Sequence, residues 1–264
     1  MDSAFQFDWG SLTLLSYIVM RMTGLVLFNP LIGRSGVPND LKAGFILVLS
    51  FMVFSLEGGS VVIPESNFQY MFKLVMEVFF GFFVSTIMAL FFSIPVTAGQ
   101  YIDAQMGFSM AQNYDPATGA NMTVSSTMLN IMMILIFLAA NGHHTMFTIL
   151  MTTGEMVPYG GYWFGENILN YMVLILVECM VLAVKISMPV IAAELLCQVG
   201  MGALMKAIPQ INVFAINIDL KIIIGLFLYL ALLDPMSLLM LEIEKDMLDH
   251  MRQMLIYAGE NARA

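Results

Sequence analysis

The sequence predicts an all-α membrane protein with about six long apolar helices, and three observations predict this fold class. Of the 264 residues, 59% are hydrophobic and only 11% are charged, whereas an average soluble domain is about half apolar and a quarter charged. The mean hydropathy is +0.85, and so much apolar surface does not fit inside one water-soluble globule of this size. The apolar runs are also continuous over the ~20 residues that a bilayer-crossing helix needs, without the alternation of barrel strands. These observations exclude a soluble enzyme, a secreted disulfide scaffold and a disordered chain.

Apolar runs and helix-breaking residues predict the helices in chain order. The expected helical stretches are 12–32, 43–56, 78–102 with its helical signal beginning near residue 72, two pieces of 116–154 separated by a turn at Asn141-Gly142, 167–188, 190–207 and 211–233. Pro189 is expected to kink or break the helix that precedes it. An amphipathic helix over 238–257 follows Asp234-Pro235. We therefore expect about six spans arranged as hairpins, an irregular loop and a polar C-terminal helix.

The charge balance excludes further classes of partner. Ten Lys and Arg against nineteen Asp and Glu give a net charge of −9, so the chain lacks the basic field that nucleic acid or anionic lipid would require. Cys179 and Cys197 both lie in apolar helical sequence and are interpreted as small hydrophobes. The acidic N-terminus lacks the positive region of a cleaved secretory signal.

The most informative segment is the irregular stretch 99–123, which lies between two strongly apolar runs. It is rich in Gly, Gln, Asn and Asp, yet it also carries large apolar residues: Met106, Phe108, Met110, Tyr114 and Met122. Irregular backbone at membrane depth survives only when it is buried in protein or lines a water-filled cavity. The segment is therefore either a re-entrant loop that closes a pore or a plain connector with a few apolar contacts. The 26 methionines favour an adaptable seal where they lie beside this segment, and elsewhere they fill helix surfaces.

Ionisable residues inside the apolar runs need an explanation, because each costs at least ~2.5 kcal/mol in a membrane and should pair or face a cavity. The residues concerned are Arg21, Glu77, Glu178, Lys185 and Glu194. A proton or ion relay is one interpretation. We favour ion pairing between helices or subunits, because no paired acidic cluster or broken-helix repeat accompanies these charges.

No motif in the chain indicates catalysis or a metal site. His143-His144 lacks the i,i+4 spacing of a zinc-binding helix, and the sequence contains no HExxH and no CxxC. Asp103 and Asp115 lie twelve residues apart in one irregular segment, unlike the facing aspartates of an intramembrane protease. A serine nucleophile motif and a phosphate-binding loop are also missing. We therefore expect a protein that is not an enzyme and has no cofactor.

Three motifs carry a resemblance to a known family. They are RMTGLVLFNPLIGRSGVPNDLKAG over 21–44, GQYIDAQMGFSMAQNYDP over 99–116 and AIPQINVFAINIDLKIIIG over 207–225. In this order and at this chain length, the sequence resembles the FliR family of flagellar export proteins, whose injectisome members are called SctT or SpaR. The resemblance covers about residues 12–233 and favours the flagellum over the injectisome.

The resemblance implies a subunit of the flagellar type III export gate in the bacterial inner membrane, at the flagellar basal body. FliR-like proteins assemble with copies of FliP and FliQ into a closed pore for unfolded flagellar substrates, and an FlhB-like protein contacts this hetero-oligomer. Residues 1–165 are expected to be FliP-like, residues 166–233 to be FliQ-like, and residues 234–264 to be a polar helix or tail. Because such helices are lifted towards the periplasm, the expected spans describe hydropathy and not depth.

The resemblance also identifies a plug. The segment 107–122 resembles the loop that blocks the family's pore from within, and its candidate residues are Gly107, Phe108, Ser109, Met110, Asn113, Tyr114, Asp115, Pro116, Asn121 and Met122. The candidate structural or assembly charges are Arg21, Lys42, Asp103, Glu178, Lys185, Glu194 and Lys221. Pro209 and Gln210 are expected to form the turn between the last two apolar helices.

Two other functions stay open at this point. One is a proton-coupled secondary transporter of a small solute that uses Glu178, Lys185 and Glu194. The other is a passive assembly factor that takes no part in the conduit.

Overall fold

The computed structural model describes residues 9–57, 61, 63–107, 113–115, 120–161, 164–207 and 213–263. These residues form nine helices and one short hairpin of two strands. In chain order the elements are α1 Trp9–Leu27, α2 Asn39–Glu57, α3 Asn67–Met106, β1 Asn113–Asp115, β2 Ala120–Met122, α4 Val124–Ala139, α5 Gly142–Met151, α6 Thr153–Met156, α7 Glu166–Ala207, α8 Val213–Ala231 and α9 Leu233–Arg263.

The described helices are those of an integral membrane protein. Four of them, α1, α2, α3 and α7, are long and apolar enough to cross a membrane individually. Two pairs of consecutive helices, α4 with α5 and α8 with α9, meet the same criterion only when each pair counts as one span. The described residues thus contain four to six candidate spans, and the predicted all-α membrane fold is confirmed.

Prolines interrupt the helices less than the sequence suggests. α7 runs from Glu166 to Ala207 with Pro189 inside it, so the predicted break at this residue is not observed. Pro95 likewise lies inside α3. An interior proline costs ~3 kcal/mol through a lost hydrogen bond and crowding of the preceding turn. Membrane helices tolerate this cost because neighbouring groups satisfy the freed carbonyl.

Two further helix boundaries test the sequence prediction. The turn predicted at Asn141-Gly142 is observed, and Asn141 has a φ of 59°. The C-terminal helix begins earlier than predicted, because Asp234-Pro235 lies in the first turn of α9, where a proline loses no hydrogen bond. The buried side chains of α9 recur every three or four residues, as in an amphipathic helix; they include Met236, Met240, Ile243, Met247, Met251, Met254 and Ala258.

The chain divides into two compact units. The first contains Met1–Ala89, His143–Ile175 and Met247–Ala264. Its buried core includes Tyr17, Met22, Val53, Phe80, Val84, Met88 and Met254. The second contains Leu90–Gly142 and Leu176–Asp246. Its buried core includes Phe91, Ile94, Ile102, Met133, Phe137, Ile186, Val190 and Met240.

In the first unit, α1 and α3 cross with their backbones in direct contact. A Cβ on Gly24 would collide with the carbonyl oxygen of Val78, and a Cβ on Gly81 would collide with that of Arg21. The hydroxyl of Ser85 donates to the carbonyl oxygen of Leu25 at 2.7 Å. Small residues allow this approach in apolar surroundings, where close packing holds helices together. The crossing fixes where Arg21 meets α3.

Candidate functional site at the base of the irregular loop

The second unit holds the two ends of the predicted plug segment together. Asp103, near the end of α3, is fully buried. Its Oδ2 accepts from the backbone N–H of Ser125 at 2.7 Å, and its Oδ1 accepts from the Ser125 hydroxyl at 2.6 Å. Ser125 is the second residue of α4, so its N–H has no partner within its own helix. Asp103 therefore caps α4 from another helix, and the positive end of the α4 dipole favours its negative charge.

A second contact lies beside this cap. The hydroxyl of Ser126 donates to the carbonyl oxygen of Val96 at 2.8 Å and lies 2.9 Å from the Thr123 hydroxyl. A Cβ on Gly99 would collide with the backbone of Ser126, so α3 and α4 touch at this point. We call Gly99, Asp103, Met106, Ser125 and Ser126 the loop base.

The third side of the loop base is α8. Met106, the last residue of α3, is 2% exposed, and its Sδ lies where a Cβ of Gly225 would be. Tyr229 follows Gly225 by one helical turn, is 2% exposed, and lies within electrostatic reach of Asp103. Residues four apart share a helix face. One face of α8 therefore packs along the end of α3, immediately before the plug segment.

The structure describes several residues of the predicted plug. Gly107 follows α3 with a φ of +85° and is exposed. The strands β1 and β2 are antiparallel, with the pairs Asn113↔Met122, Tyr114↔Asn121 and Asp115↔Ala120. The remaining predicted plug residues, Phe108, Ser109, Met110 and Pro116, lie outside the described residues. The two described strands thus form a hairpin between α3, which ends at Met106, and α4, which begins at Val124.

The first unit contains a buried charge clamp around Arg21. Its Nε and Nη2 donate to the two carboxylate oxygens of Glu77 at 2.6 and 3.2 Å. Its Nη1 donates to the carbonyl oxygens of Thr153 and Val157 at 3.2 and 2.9 Å. Glu77 Oε1 also accepts from the Gly160 N–H at 2.7 Å. The pair therefore ties α1 and α3 to the backbone around α6, and its hydrogen bonds offset the cost of burying two charges.

Two aromatic rings enclose the same guanidinium. Arg21 Cζ lies 4.0 Å from the ring centroid of Tyr159 and 4.4 Å from that of Phe80, which is within the range of a cation–π interaction. Tyr159 lies outside the helices. Burial raises the pKa of its hydroxyl, and this effect is larger than the lowering by the nearby positive charge of Arg21. The phenol is therefore neutral at physiological pH, and its ring acts on Arg21 as an uncharged aromatic face.

The first motif, over 21–44, also has a local structural explanation. The Lys42 ammonium is buried and donates to the carbonyl oxygen of Gly33 at 3.0 Å. The Asn29 side-chain oxygen accepts from the N–H groups of Leu31 and Ile32 at 2.9 and 3.1 Å. These contacts order the connection between α1 and α2. Lys42 is thus a structural charge within this chain.

The other predicted charges occupy different environments. Glu178 is partly buried and Lys185 is exposed on α7, whereas Glu194 on the same helix is 0% exposed. Lys221 lies on α8 and is partly buried. No described residue donates a hydrogen bond to either carboxylate oxygen of Glu194. Pro209 and Gln210, predicted to form a turn, lie outside the described residues.

Sequence reasoning did not identify several residues of these sites. Ser125 and Ser126 are common residue types without a motif of their own, although two consecutive serines at the start of an apolar run do indicate a helix N-terminus. Gly225 ends the third motif, but its contact with Met106 does not follow from the sequence. Glu77 was recognised as a charge that needs a partner, but its pairing with Arg21 was not. Within the described residues, no group of three or more His, Cys, Asp or Glu side chains could hold a metal ion.

Comparison with known proteins places these features in a family. Residues 12–247 match the family described as bacterial export proteins, family 1. The chain is 27% identical over 225 residues to the flagellar biosynthetic protein FliR of Escherichia coli (strain K12), covering 84% of this chain and 85% of that protein. It is 28% identical to FliR of Aquifex aeolicus (strain VF5), and the match covers 86% of this chain and 87% of that protein. It is 26% identical to the surface presentation of antigens protein SpaR of Shigella sonnei, and the match covers 82% of this chain and 84% of that protein.

Proposed function

The chain belongs to family 1 of the bacterial export proteins and is a component of a type III export gate, and from this premise we propose that it shapes and seals the conduit of the flagellar gate. The observation that carries the proposal is the loop base, where Asp103 holds the N-terminus of α4 beside the end of α3. Both ends of the plug segment are therefore anchored at the loop base. An anchored segment of this kind can block a pore.

The proposed seal is the segment 107–122. Its amide side chains give an adaptable polar lining, and Phe108, Met110 and Met122 supply the apolar obstruction. A methionine side chain repacks around objects of different shape, which suits a seal that opens for an unfolded chain and closes again. Its function is to prevent leakage of small ions while the gate is idle.

The proposed assembly is a hetero-oligomer with FliP, FliQ and an FlhB-like protein in the inner membrane, at the flagellar basal body. We propose that residues 1–165 occupy a FliP-like position, that residues 166–233 occupy a FliQ-like position, and that residues 234–264 are a polar tail. Large apolar side chains of α7 support contact with lipid or sibling subunits, because they are exposed in the isolated chain; they include Val173, Leu174, Val177, Leu196 and Val199. Exposed apolar surface of this extent marks interaction sites.

The test is a deletion of residues 107–121 in the assembled gate. We expect ion conductance in planar bilayers to rise, because the obstruction is removed while the helices remain. Co-purification of the FliP- and FliQ-like subunits controls for assembly. A second variant replaces the same residues with a Gly-Ser linker of equal length, and it should also leak. Unchanged conductance in assembled complexes of both variants would overturn the proposal.

Two experiments distinguish the alternative functions. A secondary transporter would move a solute with proton coupling when the purified chain alone is placed in liposomes, and a conduit subunit would not. A passive assembly factor would never contact cargo. Cysteine at position 108 or 110 should therefore crosslink to a stalled export substrate if the segment lies in the conduit.

A further inference from the structure

Glu194 is a buried carboxylate whose two oxygens receive no hydrogen bond from the described residues. Its side chain lies on α7 in the second unit and is 0% exposed. Burying a carboxyl group without hydrogen-bond partners is unfavourable whether the group is ionised or protonated. A buried polar group without a partner is rare in folded proteins and therefore needs an explanation.

The surroundings of Glu194 connect it to the plug segment. Its Oε1 lies 2.8 Å from the position that a Cβ of Gly225 would occupy, and the Sδ of Met106 lies even closer to that position. Any side chain at 225 would therefore displace Met106. Met106 is the residue directly before Gly107, where the plug segment begins.

Lys221 on α8 is a candidate counter-charge for Glu194. It precedes Gly225 by four residues and so lies on the same face of α8, one turn or ~5.4 Å away along the helix axis. Its positive charge acts on the Glu194 carboxyl group, yet no hydrogen bond joins the two groups. Both side chains belong to the described residues, and no hydrogen bond joins them in this structure.

We propose that Glu194 and Lys221 are positioning residues of the plug, separated while the gate is closed and joined in an ion pair when it opens. This inference rests on the proposed function of 107–122 as a seal. A shift of α8 by about one turn brings Lys221 to the place that only glycine now fits. Met106 must then leave its buried position beside Glu194, and the first residues of the plug segment move with it. The ion pair stabilises the open arrangement and offsets the free energy lost when the Met106 side chain leaves its buried position.

Charge variants test the coupling in the assembled gate. Glu194→Gln and Lys221→Met should each reduce cargo export at least about 5-fold, the lower end of typical coupling effects. The exchange Glu194→Lys with Lys221→Glu should restore export to about half of the wild-type level or more, because the pair is rebuilt with its charges reversed. Glu242→Gln, which removes an exposed carboxylate of α9 in the same unit, is the matched control and should export normally. Export without loss in the single variants would overturn the proposal.

Crosslinking gives a second readout. It does not depend on conductance, and it does not require that the gate assembles with the charges at 194 and 221 exchanged. Glu194→Cys and Lys221→Cys are combined in a chain whose Cys179 and Cys197 are replaced by alanine. We expect disulfide formation in gates arrested with stalled cargo and little in idle gates. Equal yields in both states, or no crosslink in either, would overturn the inference. If these tests fail but deletion of 107–121 still raises conductance, the proposed function stands without the inference about Glu194 and Lys221. If that deletion leaves conductance unchanged, the proposed function itself fails.

Discussion

Arg21 on α1 and Glu77 on α3 form an ion pair in which both side chains are excluded from the surroundings, at 0% and 2% exposure. The guanidinium also donates to two backbone carbonyls, and the carboxylate also accepts from a backbone N–H. Each charge is therefore matched by hydrogen bonds as well as by its partner. Such a pair fixes which surfaces of two helices meet, because any other crossing would leave a buried charge unpaired.

Replacement of Glu77 by glutamine should destabilise the protein strongly. Removing one member of a buried pair costs about 3–5 kcal/mol, since the remaining charge is buried without compensation. We expect a large fall in the melting temperature and in the yield of folded protein in mild detergent. The double variant Arg21→Met with Glu77→Met should be less destabilised than Glu77→Gln, because it leaves no charge behind. A double variant as unstable as the single one would show that packing, and not charge compensation, governs this site.

The ring of Tyr159 should matter more than its hydroxyl. The ring lies 4.0 Å from the Arg21 guanidinium, and a desolvated cation–π contact contributes about 1–2 kcal/mol. Tyr159→Phe retains that face and should melt close to the wild type between pH 6 and 9, where the phenol is neutral because its pKa is raised by burial. Tyr159→Leu should be less stable. Equal melting temperatures for the two variants would contradict a cation–π contribution.

Alanine at Gly81 should disturb the crossing of α1 and α3. The added methyl group would collide with the carbonyl oxygen of Arg21, and overpacking of this kind costs about 1–3 kcal/mol. Gly44→Ala on α2 is the matched control, since a Cβ there meets no atom within 4 Å. Helix propensity alone favours alanine by about 0.5–1 kcal/mol. Thermal melting in detergent should therefore change in opposite directions, and a stabilised Gly81→Ala would contradict the close contact.

Local properties of the sequence predict the helices of this protein well. Hydropathy identifies the apolar runs, and the turn at Asn141-Gly142 follows from residue types that adopt positive φ easily. The sequence predicts a kink or a break at Pro189, and the break is not observed, because a local rule about proline ignores the neighbouring groups that satisfy a freed carbonyl. The early start of α9 was missed for a related reason: Asp234-Pro235 indicates a helix end and a helix beginning equally well.

Pairings across the chain are not contained in such local properties. Arg21 and Glu77 lie 56 residues apart, and Asp103 and Ser125 lie 22 residues apart. Hydropathy shows that each buried charge needs a partner, but several helices offer one. The choice is made by packing, as at Gly24 and Gly81, where only the backbone approach brings Arg21 to the correct turn of α3. The proposed roles of the loop base depend on such contacts.

The Asp103 cap should hold the plug segment in its closed position. Asp103→Asn loses charge-assisted hydrogen bonds, each contributing about 1.5–3 kcal/mol, whereas Ser125→Ala loses one side-chain bond and keeps the bond from its backbone N–H. We therefore expect both variants to raise the idle ion conductance of the assembled gate, Asp103→Asn more than Ser125→Ala. Ser93→Ala on the same helix is the control, since its exposed hydroxyl bonds only to its own helix at Leu90. In a double-mutant cycle the combined variant should leak less than the sum of the two, because both changes act on one contact. Conductance that stays at the wild-type level in assembled Asp103→Asn gates would mean that the cap stabilises α4 without restraining the plug.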